Sequence, residues 1–314
     1  MLDRPIFVLG SFVLACTAKV SRFPQPGESM TAQHVTIEPG GKGLNQAMMV
    51  RRLGADVDGL LAVGDDLAAR FALPALERAG LPKTMLLPLA GETGSGIGFI
   101  DAGGETCLAI APNANLALSA AHVRARAEAI EGAALITAQY EIADAPIREA
   151  FALAQRAGVP TLLNPSPFRA ISDEILAATS VLIVNESEAR SLAASLDLPM
   201  ETATTLHGFA TGLAPAIRGR GPRCVVLTRG AAGAVAVAEG GVTEQPGFPV
   251  ATVDSLGAGD AFAATFGVRT AQGLKPDAVL REAAAAGALT TTRRGVFDAL
   301  PRADEIAAVI ASTR

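Results

Sequence analysis

VDSLGAGDAFAATFGV, residues 253–268, is the stretch on which the reading of this chain turns. Gly257, Ala258 and Gly259 are small and permissive, and an apolar helical run carrying Phe262 and Phe266 follows at once. A glycine-rich turn feeding a helix N-terminus aims several backbone amides at one point, and the helix dipole adds to their attraction for an anion. Asp260 falls in the first turn of that helix, beside the expected anion. On spacing alone two roles fit it: a base next to a reacting phosphate, or an acid that only complements the dipole.

Working outward, EPGGKGLNQAMMVRRLGA (residues 38–55) carries a second glycine cluster. Gly40, Gly41 and Gly43 let backbone approach a ligand closely, while Lys42 and Asn45 offer polar contacts. Helical periodicity then runs to Leu53, and Gly54 stops it. An ordinary loop entering a core helix, with a solvated Lys42, has the same pattern. GGKG is not a Walker loop, because Gly43 rather than Ser or Thr follows Lys42. Gly94-Ser95-Gly96-Ile97-Gly98 lacks the final glycine of a dinucleotide fingerprint and precedes a hairpin rather than a helix.

Short apolar runs alternate with amphipathic stretches through the rest of the chain. Strands are expected at Ile6–Leu9, Val57–Val63, Ala134–Ala138, Thr161–Leu163, Val181–Val184 and Cys224–Leu227. Helices are expected from a Ser119 cap to Glu131, from an Asp144 cap to Gly158, and over Asp65–Gly80 with a kink at Pro74. This alternation indicates an α/β fold, a mostly parallel sheet with helices on both faces. Residues 12–37 and 96–112 break the pattern with alternating runs and turn residues. The second reads as a hairpin turning at Ala102-Gly103-Gly104. One domain over residues 1–314 with a small β lid is expected.

Composition narrows the function classes. The 314 residues are half apolar and carry a net charge of −5, which speaks against a nucleic-acid partner. No run reaches the length of a membrane span, so a soluble chain is expected. Cys16, Cys107 and Cys224 are odd in number and far apart, which speaks against a disulfide framework and fits a reducing cytoplasm. IFVLGSFVLA (residues 6–15) admits two readings: an export signal ending at the lipoprotein-like Val13-Leu14-Ala15-Cys16, or a buried first strand. One Arg beside Asp3, an immediate Pro5 and the shortness of the run favour the strand.

Taken together, these segments resemble the ribokinase-type (PfkB) carbohydrate kinase family, and the likeness spans nearly the whole chain. Residues 39–64 fit its amino-terminal pattern and DSLGAGDAFAA (254–264) its carboxy-terminal one. NPSP at Asn164–Pro167, NESE at Asn185–Glu188 and LTRGAAG at Leu227–Gly233 fall between them in the family's order. The resemblance implies a three-layer α/β/α fold with a small β lid, and an ATP-dependent sugar kinase acting on an alcohol group. It implies Asp260 as catalytic base, with Gly257, Ala258 and Gly259 as the anion hole. Gly41, Lys42, Gly43, Asn45 and Glu141 would hold the sugar. Asn185, Thr228, Arg229, Gly230, Gly233 and Gly259 would line the ATP site, and Glu188 would hold Mg²⁺ through water. A K⁺ ion would sit behind the anion hole among Asp254, Leu256, Thr290, Arg293, Gly295 and Ala299, several through carbonyls. A homodimer is likewise implied.

One departure stands out. The family's GSxNxD pattern after the first strand becomes Gly10-Ser11-Phe12-Val13-Leu14-Ala15, so Val13 replaces an Asn and Ala15 an Asp that normally accepts from two sugar hydroxyls. Each such hydroxyl, buried without that acceptor, would cost about 1–3 kcal/mol. A substrate less polar than ribose, or with different hydroxyls, is therefore expected. A nucleoside kinase of the same fold and a non-catalytic sugar or nucleotide sensor are the competing readings; the intact Asp260 and glycine turn weigh against the sensor.

Overall fold

The computed structural model describes residues 2–103 and 105–313. Among them, thirteen strands form two sheets. The larger has nine strands in the order β13-β12-β11-β10-β9-β8-β1-β4-β5. These are β1 (Ile6–Ser11), β4 (Val57–Val63), β5 (Leu86–Pro88), β8 (Leu135–Gln139), β9 (Thr161–Asn164), β10 (Val181–Asn185), β11 (Cys224–Thr228), β12 (Ala234–Ala238) and β13 (Gly241–Gln245). From β5 to β11 every pair is parallel, and β12 alone runs against the others, so that the β11–β12 and β12–β13 pairs are antiparallel.

The six expected strands all form, each within two residues of its expected ends. Their unbroken apolar character follows from burial on both faces. Strand β1, for instance, is buried at every position. Successive side chains alternate sides. Ile6 and Val8 therefore join Leu44, Met48 and Phe262 in one core, while Phe7 and Leu9 join Ile147, Phe151 and Leu192 in the other. The first core packs under helices Lys42–Arg52, Ala258–Ala271 and Pro276–Thr290, and the second under Asp144–Arg156 and Glu186–Ser195.

Three helix expectations need correction. Asp144 is not the cap: Ala143 takes that position, and Asp144 is the first helical residue, its carboxylate held by Arg169 at 2.6 and 2.9 Å. Ser119 does cap its helix, but the helix breaks at Ala125-Arg126 before Ala127–Glu131. There the Arg126 guanidinium leaves to bind Asp58 and the carbonyls of Gly59 and Thr84. Residues 65–80 begin with a 3₁₀ turn, Ala68–Phe71, so Pro74 lies in the first turn of the helix Ala72–Ala79 rather than kinking its middle. Pro is tolerated there because first-turn amides have no helical acceptor.

The second sheet comprises β2 (Val13–Lys19), β3 (His34–Gly40), β6 (Ser95–Ile100) and β7 (Thr106–Ala111), ordered β3-β2-β6-β7. The expected hairpin is present as antiparallel β6–β7, with the Asp101 amide donating to the Glu105 carbonyl at 3.0 Å. Gly104 of the expected turn lies outside the described residues. One side of this sheet turns towards the large one, burying Val13 and Gly96, while the other exposes Val35 (52%), Ile37 (57%) and Ile97 (64%). Among the described residues, no helix is long and apolar enough to cross a membrane.

Candidate active site

The carboxyl ends of the parallel strands and the edge of the small sheet converge on the start of helix Ala258–Ala271, where open α/β sheets characteristically bind ligands. Gly257 is its N-cap, in the left-handed region with φ 76°. A Cβ there would also lie 2.7 Å from Val296 Cγ1, so both conformation and space call for glycine. The amides of Gly259 and Asp260 have no acceptor among the described residues. They are first-turn donors free for a ligand.

On one side of this turn lies a cavity of about 490 Å³ lined by Thr228, Gly230, Gly233, Ala258, Gly259 and Phe262. These include four of the expected ATP-site residues. Asn185 and Arg229 do not line it, and the Arg229 guanidinium lies 3.7 Å from the Glu186 carboxylate. The remaining walls, Gly247–Val250 and Ala284–Thr291, were not expected to take part. The turn chemistry of Pro246-Gly247-Phe248-Pro249 was their only visible signal.

The other side of the turn holds Asp260, 3% exposed. Asn45 Nδ2 donates to Asp260 Oδ2 at 2.7 Å, and Lys42 Nζ lies 3.7 Å from Oδ1. Asp260 Oδ1 and Asn45 Oδ1 are buried without a hydrogen-bond partner. Unpaired polar atoms of this kind are costly unless a ligand completes them. Lys42 is not simply solvated. Burial pulls its ammonium pKa down, but the carboxylates of Asp260, Glu141 and Glu188 more than offset this and hold it above its ordinary value.

Glu141 follows β8 and accepts from the Lys42 amide at 2.9 Å and from Ser11 Oγ. It thereby ties the ends of β1 and β8 to the helix start. Gly43 makes that approach feasible, because a Cβ there would lie 2.6 Å from the Gly10 carbonyl carbon. Ser11 was not among the expected site residues. Its partner is 130 positions away, and no local pattern announces it.

Asn185 and Glu188 form a reciprocal capping box: Asn185 Oδ1 accepts from the Glu188 amide and Glu188 Oε2 from the Asn185 amide, both at 2.9 Å. Glu188 is 5% exposed, so it is no solvated helix residue. Its second oxygen makes no hydrogen bond among the described residues, which suits a hydrated Mg²⁺ carried by phosphates. No cluster of three acidic, His or Cys side chains able to hold a metal occurs among the described residues, so the phosphates would have to supply much of such a coordination sphere.

Asp254 joins two loops through its carboxylate, Oδ1 accepting from the Leu256 amide at 3.0 Å and Oδ2 from the Gly295 amide at 3.1 Å. Among the described residues, the carbonyls of Asp254, Leu256, Arg293, Gly295 and Ala299 accept no hydrogen bond, an all-oxygen set that fits K⁺. The Thr290 hydroxyl is instead spent on the Ala286 carbonyl at 2.9 Å, and the Arg293 side chain pairs with Glu305. Beside Gly295 stands Glu38 of β3. Burial, then the neighbouring Asp254 and Asp298 carboxylates, raise its pKa.

A glycine turn walled between a ligand-sized cavity and a buried carboxylate defines a group-transfer site. The sequence matches the pfkB family carbohydrate kinase pattern over residues 3–303. It is 30% identical to the ribokinase of Haemophilus influenzae over 306 residues, 97% of each chain. It is 28% identical to the deoxyribokinase of Salmonella typhi, covering 96% of each. The Arabidopsis thaliana ribokinase structure complexed with ribose and ATP superimposes with a TM-score of 0.87 at 24% identity over 98% of both chains. The chain belongs to the pfkB family of carbohydrate kinases. Within that family it is an ATP-dependent sugar kinase with an alcohol group as acceptor.

Proposed function

We propose that the enzyme transfers the γ-phosphoryl group of ATP to a hydroxyl of a small sugar whose surface facing β2 is less polar than that of ribose. The observation that carries this reading is the Gly257 turn, which offers free amides to the cavity on one side and Asp260 to the acceptor on the other. ATP would lie in the cavity lined by Thr228, Gly230, Gly233 and Gly259. The acceptor would rest on Gly41, Lys42, Gly43, Asn45 and Glu141.

Asp260 takes the acceptor proton as the new P–O bond forms. Asn45 fixes one carboxylate oxygen and leaves the unpartnered one for the hydroxyl. Proton acceptance by a positioned carboxylate contributes about 10²–10⁴-fold in rate. Lys42 and the amides of Gly257, Ala258 and Gly259 would stabilise charge gathering on the moving phosphoryl group; the Ala258 amide, which donates to the Ser255 carbonyl at a long 3.4 Å, would be shared with it. In a loose transition state such positioning and neutralisation carry most of the catalysis. Glu188, held in place by Asn185, would hold Mg²⁺ through water, and Mg²⁺ would supply neutralisation of the phosphates. Carbonyls of Asp254, Leu256, Arg293, Gly295 and Ala299 would hold K⁺, with that of Thr290, which also accepts from the Arg293 amide at 3.4 Å, beside them; the ion would supply positive charge behind the amide turn.

Val13 pairs with Gly40 and Ala15 with Glu38, so both stand on the side of the small sheet turned to the site, just ahead of Gly41 and Lys42. They are the basis for a less polar acceptor. The small sheet would act as a lid that excludes water. Its outer apolar face, Val35, Ile37 and Ile97, would meet a second copy in a cytoplasmic homodimer.

An ADP-release screen over sugars, deoxy-sugars, ketoses and nucleosides, with and without K⁺, tests the reading, with Asp260→Asn as control. The expected result is a best acceptor other than ribose and a loss of about 10²–10⁴-fold in kcat for the variant. Ribose as best acceptor by a wide margin would end the specificity proposal. Turnover of nucleosides alone would transfer the site to that class, and ligand-induced thermal stabilisation with no ADP release would make the chain a sensor.

A further inference from the structure

Glu38 is the only carboxylate that the small sheet's strands place on the side facing the active site, among the described residues. It stands directly across from Ala15. Its carboxylate lies on the bare Cα of Gly295: a Cβ there would be 3.0 Å from both Glu38 carboxylate oxygens, and Gly295 has φ +72°. The Val296 backbone N–H favours the charged form of this carboxylate, against the larger effect of burial. This corner belongs to the catalytic turn. The Gly295 amide is bound by Asp254, whose other oxygen holds Leu256, and the Val296 side chain packs where a Cβ of Gly257 would stand.

We propose that Glu38 is a positioning residue for phosphoryl transfer, its carboxylate seating the small sheet on the Gly295-Val296 corner so that closure of the acceptor site and the geometry of the Gly257 turn are set together. The proposal rests on the active-site reading given above. A carboxylate resting on bare backbone at a water-accessible edge is a contact that can be made and released in each turnover, because the carboxylate is solvated when it leaves. An apolar plug would instead have to be exposed to water at every opening. The neighbouring Asp254 and Asp298 carboxylates disfavour the charged form of Glu38. With glycine at position 295 the carboxylate rests directly on the backbone; a Cβ there would crowd both of its oxygens at 3.0 Å and would itself have to adopt φ +72°.

Hydrogen exchange on the full-length chain, comparing wild type with Glu38→Ala and Glu38→Gln, reads the contact directly. In Glu38→Ala, exchange should quicken about tenfold in two separate segments, residues 34–40 and 253–258, as expected for losing one contact worth about 1–1.5 kcal/mol. Strands β8 to β10 serve as the unaffected reference. Glu38→Gln keeps the length and one oxygen of the side chain that rests on Gly295 and should restore protection. In turnover, Glu38→Ala should lower kcat/KM for the acceptor about tenfold or more through misplacement. It should also raise the share of phosphoryl transfer to water, and Glu38→Gln should recover most of both. Unchanged exchange in both segments, or quickening throughout the chain, overturns the proposal. So does wild-type coupling in Glu38→Ala. If wild type phosphorylated no acceptor, the active-site reading would fail, and exchange would still decide the contact.

Discussion

Asp260 and Glu38 show how differently single carboxylates can be spent. Asp260 is buried, oriented by Asn45 and faced by Lys42, with one oxygen held in reserve. Glu38 sits against backbone with two carboxylates nearby, and its pKa lies above the ordinary value because burial and those charges disfavour the ionised form. Its folded-state pKa exceeds the unfolded one, so its stabilising contribution is complete below the unfolded value and is lost as pH rises through the folded value. Thermal unfolding of Glu38→Gln should therefore show a Tm at pH 8 equal to or above that of wild type, with the advantage shrinking towards pH 4. A Tm clearly lower at pH 8 would mean that the charge itself holds the fold. Asp260, Lys42 and Asn45 were legible as chemistry in the sequence because each sits within a few residues of a glycine cluster that explains it. Ser11 and Glu38 were not, since their partners lie at Glu141 and Gly295 and no local spacing records those meetings.

At the scale of elements, two helix starts do the work. Gly257→Ala meets both a left-handed backbone and the Val296 side chain, and should cost about 1–3 kcal/mol of stability while misdirecting the free amides. Chemical denaturation and kcat measured on the same preparation should fall together; an unaltered kcat would separate the turn from catalysis. At the other start, the Asn185–Glu188 box is both a cap and a candidate Mg²⁺ position. Glu188→Ala should lose about 0.5–2 kcal/mol from the cap. Glu188→Gln should keep much of the cap through its side-chain oxygen yet raise the Mg²⁺ concentration needed for half-maximal rate. A Mg²⁺ titration indistinguishable from wild type would reduce Glu188 to a capping residue. Element types were largely readable, because periodicity and end signals are local. The misread ends arose where a distant side chain intervened, as Arg169 does at Asp144 and Asp58 at Arg126.

For the whole molecule, the exposed apolar face of the small sheet sets the remaining test. Ile97 lies at its centre and is 64% exposed. Ile97→Lys places a charge across the proposed dimer contact, so sedimentation should show wild type as a dimer and the variant as a monomer. A monomeric wild type would remove that interface from the account. The amino-acid order alone determined the alternation of strands and helices and the two glycine turns, since each depends on neighbours along the chain, and the resemblance to the family pattern marked Val13 and Ala15 as departures from it. Only the tertiary structure decided that Gly247–Val250 and Ala284–Thr291 wall the cavity, that Glu141 grips both Ser11 and Lys42, and that Glu38 rests on Gly295. Hydrophobic period reports which face of an element is buried, but not which distant element covers it. That choice is made by the order of strands in the sheet, to which local pattern is blind.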